Sequence, residues 1–199
     1  WCTEHSRSAA RSRRVMMSTR LPLNQRALGD EIIRLGQQVR LVAFDVDGTL
    51  TDGRLLFSDD GSELKAFHVL DGQGLKLLER IGIVTALITA RRSPLVERRA
   101  ADLRIPHVIQ GCQDKGQALQ ELCANRTISA SHVAFMGDDL PDLSAMRHAG
   151  LSVAPANAHP WVAERVHLQT RLAGGSGAVR ELCDWLIDVQ AQREAILRV

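Results

Sequence analysis

Five short apolar runs, each followed by polar residues, recur along the chain: Leu41-Val42-Ala43-Phe44, Ile83-Val84-Thr85-Ala86-Leu87-Ile88, His107-Val108-Ile109, His132-Val133-Ala134-Phe135-Met136 and Leu151-Ser152-Val153-Ala154. Their length and β-branched content suit strands buried on both faces. Between them lie amphipathic segments of helical length, around 72 to 80, 94 to 103, 115 to 124, 141 to 149 and 158 to 164. This alternation builds a parallel sheet covered by helices, so the predicted fold is α/β, a doubly wound Rossmann-like sheet. In such sheets ligands bind beyond the carboxyl ends of the strands. Asp45 and Thr89, which directly follow two of the runs, and Asp138, one residue beyond a third, are expected to project there.

At 199 residues and 45% hydrophobic content, the chain can bury one core and not comfortably two. A single domain is expected over 24–190, its first helix marked by Leu28, Ile32, Ile33 and Leu35. A disordered basic tail, 1–23, is expected before it, with Arg7, Arg11, Arg13, Arg14 and Arg20 and no periodicity; a bland tail is the expectation, and a start assigned upstream of Met16 or Met17 is one way such a tail arises. A C-terminal tail, 191–199, follows. The segment 52–71 breaks the alternation: Arg54-Leu55-Leu56-Phe57, the turn Ser58-Asp59-Asp60-Gly61 and Glu63-Leu64-Lys65-Ala66-Phe67-His68 predict a β-hairpin flap. Gly174-Gly175-Ser176-Gly177 reads either as the entry to a last helix or as part of a binding rim.

A formal charge of +2 calls for neither a nucleic-acid nor a membrane partner. No run approaches the roughly 20 apolar residues of a membrane span, and no secretory h-region is evident. Cys2, Cys112, Cys123 and Cys183 lack paired spacing and are expected to be free thiols, which implies a cytoplasmic protein.

The chemistry concentrates in two acidic loops. Asp45-Val46-Asp47-Gly48-Thr49 sets two carboxylates two residues apart after a strand, with a glycine that lets the backbone turn its N–H groups toward an anion. Such a D-x-D-G-T string arises by chance on the order of once in a thousand chains of this length. A surface Asp-Gly turn is the bland alternative, and the strand before it argues against that. Gly137-Asp138-Asp139-Leu140-Pro141-Asp142 supplies a second cluster, and carboxylates from two loops are the hard oxygen ligands that Mg²⁺ takes. Asp45 and Asp138 are the expected metal ligands; Asp139 and Asp142 can equally cap the helix that follows. Thr89 and Lys115 carry weak signals alone, strengthened by their place between the two clusters.

Asp45-x-Asp47-x-Thr49, then Thr89, Lys115 and Gly137-Asp138-Asp139, resembles the four-motif signature of the haloacid dehalogenase superfamily. From about residue 28 to 190 the chain resembles more closely the 3-deoxy-D-manno-octulosonate 8-phosphate (KDO 8-phosphate) phosphatases. Phe67-His68-Val69-Leu70-Asp71-Gly72, Ile88-Thr89-Ala90-Arg91 and Gly174-Gly175-Ser176-Gly177-Ala178-Val179-Arg180-Glu181 carry that likeness. The resemblance implies a Mg²⁺-dependent phosphomonoester hydrolase of lipopolysaccharide precursor synthesis, working through an aspartyl-phosphate. In it Asp45 is the nucleophile, Asp47 the general acid–base, and Thr89 and Lys115 bind the phosphoryl group. It also implies metal ligation by Asp45, the Asp47 carbonyl and Asp138. Substrate contacts are implied for Asp47, His68, Val69, Leu70, Asp71, Gly72, Lys76, Arg91, Arg99 and Lys115. Leu70 stands where relatives often carry Arg, Thr49 where they often carry Val, and Ala90 where they often carry Gly.

About 40 residues separate the first two motifs and about 20 the last two, too few for a cap domain, so the fold is expected to be capless. The resemblance further implies a homotetramer whose flaps pack between subunits. Rival readings are a phosphatase for a nine-carbon sugar-acid phosphate and a catalytically silent tetramerisation module. Nucleic-acid binding through the arginine-rich tail is a third.

Overall fold

The computed structural model describes residues 29–198. The basic tail 1–23, Leu28 and the true start therefore lie outside the described residues. In chain order the elements are α1 (Asp30–Gln38), β1 (Leu41–Phe44), β2 (Leu56–Phe57), β3 (Glu63–Leu64), α2 (Val69–Arg80), β4 (Val84–Thr89), α3 (Pro94–Leu103), β5 (His107–Gln110), α4 (Lys115–Arg126), β6 (Val133–Met136), α5 (Leu143–His148), β7 (Leu151–Ala154), α6 (Pro160–Ala163), β8 (Leu168–Gln169), α7 (Ala178–Val189) and α8 (Arg193–Leu197). Six strands form one sheet in the order β5-β4-β1-β6-β7-β8, each neighbouring pair parallel. The chain winds outward from β1 to β4 and β5, then returns to β6 and winds the other way. The strand order thus reverses between β1 and β6, and the crevice that opens at such a switch point is where these sheets bind ligands.

Side chains alternate across β1 as the pleat requires. Val42 and Phe44 join a core with α2, α3 and α7, while Leu41 and Ala43 face a second core with α4, α5 and α6. All four are fully buried, which explains why the run reads as uninterrupted apolar sequence. On α7, Ala178, Val179, Leu182, Cys183, Leu186 and Ile187 are buried at helical spacing. Gly74 lets α2 approach α7 closely: a Cβ there would meet the Cys183 side chain at 3.1 Å.

The structure departs from expectation in three places. β8 was not foreseen, because two residues paired with Val153 and Ala154 leave no periodic signal. The flap strands are short, only Leu56–Phe57 against Glu63–Leu64, and α2 begins at Val69, not near residue 72. His68 is its N-cap residue and Asp71 lies in its first turn, where a carboxylate suits the helix dipole. Val69 and Leu70, 77% and 53% exposed, gave this turn its strand-like apolar look. Among the described residues no helix is long and apolar enough to cross a membrane.

Candidate active site

The carboxyl end of β1 delivers Asp45 into the crevice, where it is only 5% exposed. After it the backbone turns sharply: the N–H groups of Leu50 and Thr51 return to the Val46 carbonyl at 2.9 and 3.0 Å. Gly48, at φ +99°, sits so close to the Asp138 carboxylate that a Cβ would run into it. Asn157 ties this loop to the glycine stretch, donating to the Gly48 carbonyl at 2.9 Å and accepting from the Gly174 N–H at 2.6 Å. Gly175 N–H donates to the Thr49 carbonyl at 3.1 Å. Gly174–Gly177 is thus the entry to α7 and, at the same time, the backing of the first acidic loop.

Lys115 opens α4 behind its N-cap residue Asp114, whose carboxylate accepts from the N–H groups of Gly116 and Gln117. Its ammonium, 5% exposed, donates to Asp45 at 2.5 Å and to Asp142 at 2.6 Å. Burial works against that charge, but Asp45 and Asp142 outweigh it and raise the Lys115 pKa. The other Asp142 oxygen accepts from the N–H groups of Asp138 and Asp139 at 2.9 and 3.1 Å. Asp139 caps the 3-10 turn Leu140–Asp142 by accepting from Leu140. Asp142 therefore does more than cap a helix: it joins the second acidic loop to the lysine.

Asp45, Asp138 and Asp142 each bring a carboxylate oxygen within 4.8 Å of the others. Asp142 has both oxygens engaged, whereas Asp138 Oδ1 is buried without a hydrogen-bond partner among the described residues. An orphaned carboxylate oxygen beside a second buried carboxylate fits a divalent cation held by Asp45 and Asp138, completed by water and substrate oxygens. Burial, and then repulsion from Asp142, push the Asp45 pKa up to about 8 against the pull of Lys115. Burial, Asp142 and Asp139 push Asp138 to about 6. Without metal, both groups hold protons more tightly folded than unfolded. Their contribution to stability is therefore lost as pH rises from the ordinary 3.8 through about 6 and about 8. A cation offsets the ionised carboxylates, so the rise in Tm caused by Mg²⁺ is expected to widen between about pH 5 and about pH 8. Thermal melts with Mg²⁺ or EDTA across that range check this, and a constant increment would refute it.

Asp47 faces the flap: Lys65 donates to its Oδ1, and Arg91 Nε lies 3.8 Å from its Oδ2. Arg91 also bonds Glu63 on β3 at 2.9 Å. Thr89 ends β4, 2% exposed, its hydroxyl accepting from the Arg91 N–H at 3.3 Å. Asp45, Asp47, Thr89, Arg91, Lys115 and Asp138 thus come together around the β1 and β4–β6 strand ends. Other expected site residues lie elsewhere in the chain. Asp71 is buried and accepts from the α7 N–H groups of Arg180, at 2.8 Å, and Gly177; burial raises its pKa despite these bonds. Gly72 lies under Arg99, which reaches the His68 carbonyl at 3.4 Å and the face of Phe67 at 5.7 Å. Lys76 sits on the exposed side of α2. His68 and Leu70 line a groove of about 400 Å³ against Gly177, Arg180 and Asp184.

Sequence reasoning missed Lys65, Asp142 as a lysine partner, and Asn157. Asn157 follows β7 at the carboxyl edge of the sheet, a position that could have pointed to it.

The haloacid dehalogenase-like hydrolase family matches residues 105–182. The KDO 8-phosphate phosphatase KdsC of Yersinia pestis is 44% identical over 167 residues, 84% of this chain and 89% of its own length. A solved structure of a hypothetical protein from Xanthomonas campestris is 53% identical with a TM-score of 0.84, covering 87% of this chain and 94% of that one. The KDO 8-phosphate phosphatase of Moraxella catarrhalis, solved with a magnesium ion, a phosphate ion and KDO, is 42% identical with a TM-score of 0.83, covering 85% and 97%. With these motifs on this α/β sheet, and with such identity over most of its length, the chain belongs to the KdsC family of KDO 8-phosphate phosphatases within the haloacid dehalogenase-like hydrolases.

Proposed function

We propose that the chain hydrolyses KDO 8-phosphate to KDO and inorganic phosphate with Mg²⁺, through an aspartyl-phosphate on Asp45. The observation that carries this is the buried Asp45–Lys115–Asp142 network beside the unpartnered Asp138 oxygen. It stands in a chain 42% identical to an enzyme solved with magnesium, phosphate and KDO.

Asp45 attacks phosphorus in line, and the bond from phosphorus to the sugar oxygen breaks. Asp47 gives its proton to that oxygen, then removes one from the water that displaces phosphate from Asp45. Lys115 holds the nucleophile and, with the Thr89 hydroxyl and the loop N–H groups, faces charge on the transferring phosphoryl group. Asp45, Asp138 and the Asp47 carbonyl would hold Mg²⁺, which would supply charge neutralisation for the phosphoryl group.

The sugar acid is contacted by Arg91 beside Asp47 and by His68, Val69, Leu70, Lys76 and Arg99, in part from a neighbouring subunit of a homotetramer, while Asp71 and Gly72, buried against the start of α7 and Arg99, brace that segment from behind. Supporting this, Leu55, Leu56, Phe57 and Leu64 of the flap, with Val69 and Leu70, are exposed apolar residues close together in sequence, as an interface would need. Lys76 is exposed on α2 and forms no ion pair among the described residues, which suits a role at another subunit's site. Cytoplasmic residence belongs to the same reading, supported by the free thiols of Cys112, Cys123 and Cys183.

Phosphate release from KDO 8-phosphate, a nine-carbon sugar-acid phosphate and hexose phosphates, with Mg²⁺ or chelator, tests the proposal. KDO 8-phosphate is expected to lead by on the order of 10- to 100-fold in kcat/KM. Equal rates would remove the named substrate and leave the phosphatase; no turnover would favour a silent assembly module. Phe57→Glu, at a residue 63% exposed, is expected to break the assembly and erase that preference while an aryl phosphate is still cleaved. A monomer with full selectivity would overturn the neighbour's role.

A further inference from the structure

We propose that Lys65 is a positioning residue for proton transfer: the flap carries its ammonium onto Asp47 and fixes the carboxylate that protonates the leaving oxygen. This rests on the reading of Asp47 as general acid–base.

The flap is built inside out. Its leucines and Phe57 face solvent, with Phe57 63% and Leu64 56% exposed, and Phe67 at its base packs against the core. Yet the Lys65 side chain, next to Leu64, is only 2% exposed. Lysines seldom bury their charge unless it is paired, because taking an ammonium out of water is unfavourable. Here the pairing is with the site: Nζ donates to Asp47 Oδ1 and lies 3.5 Å from Glu63. Among the described residues, the ion pairs that join the flap to the domain are this one and Arg91 to Glu63. The flap is thus tethered by charge at the reacting end of the site, with none of its exposed leucines used as the anchor.

The two Asp47 oxygens meet different neighbours. Oδ1 takes the flap lysine, and Oδ2 faces Arg91 Nε from the loop after β4 at 3.8 Å. The ammonium on Oδ1 limits the swing of the carboxylate about its χ angles, and it leaves Oδ2, which has no hydrogen bond to Arg91 at that distance, as the oxygen that can carry a proton. Asp47 is two residues beyond the nucleophile on a turn braced by the Val46 carbonyl. Anchoring Oδ1 therefore fixes where the proton on Oδ2 can be delivered. Misplacing a proton donor by about an ångström costs on the order of 10²-fold, and only for leaving groups that need the proton.

A leaving-group series separates this role from packing and from sugar binding. Native protein, Lys65→Met, Lys65→Arg and Asp47→Asn are assayed with phenyl, 4-chlorophenyl and 4-nitrophenyl phosphate, none of which carries a sugar. kcat/KM reports the step that forms the aspartyl-phosphate. Lys65→Met is expected to lower it on the order of 10²-fold for phenyl phosphate and less than about tenfold for 4-nitrophenyl phosphate, whose oxygen departs without a proton. Lys65→Arg, which keeps a cation, is expected to restore most of the difference. If Asp47→Asn lowers all three substrates alike, the general-acid reading of Asp47 fails. If Asp47→Asn discriminates but Lys65→Met lowers all three alike, lowers none, or only raises KM, the role given to Lys65 is overturned. A Lys65→Met protein that does not fold leaves the decision to Lys65→Arg, whose leaving-group dependence must match the native protein for the proposal to stand.

Discussion

Asp45→Asn is expected to lower kcat for phosphate release by at least roughly 10⁴-fold while leaving the metal-free fold intact at neutral pH. The two halves have one cause. Asp45 is buried against Asp142, and its pKa stands at about 8, so near neutrality the metal-free protein holds it largely as the neutral acid. Asparagine copies the shape of that acid and keeps an oxygen for the Lys115 ammonium, which also retains Asp142 at 2.6 Å. The folded state therefore loses little. Above about pH 8, where Asp45 would ionise beside Asp142, the variant should melt higher than the metal-free native protein. Catalysis is lost because an amide cannot form the bond to phosphorus. The Mg²⁺-induced rise in Tm should shrink too, since one anionic ligand has gone. Single-turnover phosphate release and paired melts in EDTA and Mg²⁺ decide it. Residual turnover within about tenfold of native would place the nucleophile elsewhere.

The sequence was most informative where one physical demand dominated. β1, β4, β6 and β7 are buried on both faces, so continuous apolar runs revealed them, and the sheet's switch point then predicted the meeting of Asp45 with Asp138. The flap was legible as a hairpin but not in its extent. Strand pairing stops after two residues on each side, and the apolar pattern that continues through Val69 and Leu70 belongs to an exposed first turn of helix. β8 left no trace because two residues cannot show a period. At the site, residues that act on the substrate stood out as motif, whereas those that hold them did not. Lys65 looks like any strand lysine, and Asn157 like any loop amide, until the tertiary structure gives each its partner. Asp71 shows the reverse: the resemblance marks it for substrate, while the fold uses its carboxylate to seat the start of α7. A carboxylate serving one demand in the backbone gives no sequence sign that separates it from one serving chemistry.

Asp142→Ala is expected to destabilise the protein by about 3–5 kcal/mol with Mg²⁺ present, a larger cost than its place outside the reacting groups suggests. Asp142 is 1% exposed, and its two oxygens meet three donors: the Lys115 ammonium and the N–H groups of Asp138 and Asp139. Alanine leaves two N–H groups unpaired in a tight turn, each worth about 1–3 kcal/mol if water cannot reach it, and removes half of the lysine's pairing. One effect opposes this, because Asp142 also repels Asp45 and Asp138. That relief matters most without metal. With Mg²⁺ bound the cation already offsets the repulsion, so the unpaired donors decide the sign. Removing Mg²⁺ should therefore narrow the gap between Asp142→Ala and native protein. Asparagine is a partial remedy at best: its oxygen can serve the two N–H groups, but its amide nitrogen then faces the Lys115 ammonium, donor against donor. Urea unfolding should order native above Asp142→Asn above Asp142→Ala in Mg²⁺. Turnover should fall in the same order, since Lys115 and the loop bearing Asp138 lose their common anchor. If Asp142→Ala were as stable as native in Mg²⁺, the network would be dispensable to the fold, and Lys115 would need only Asp45 to stay buried.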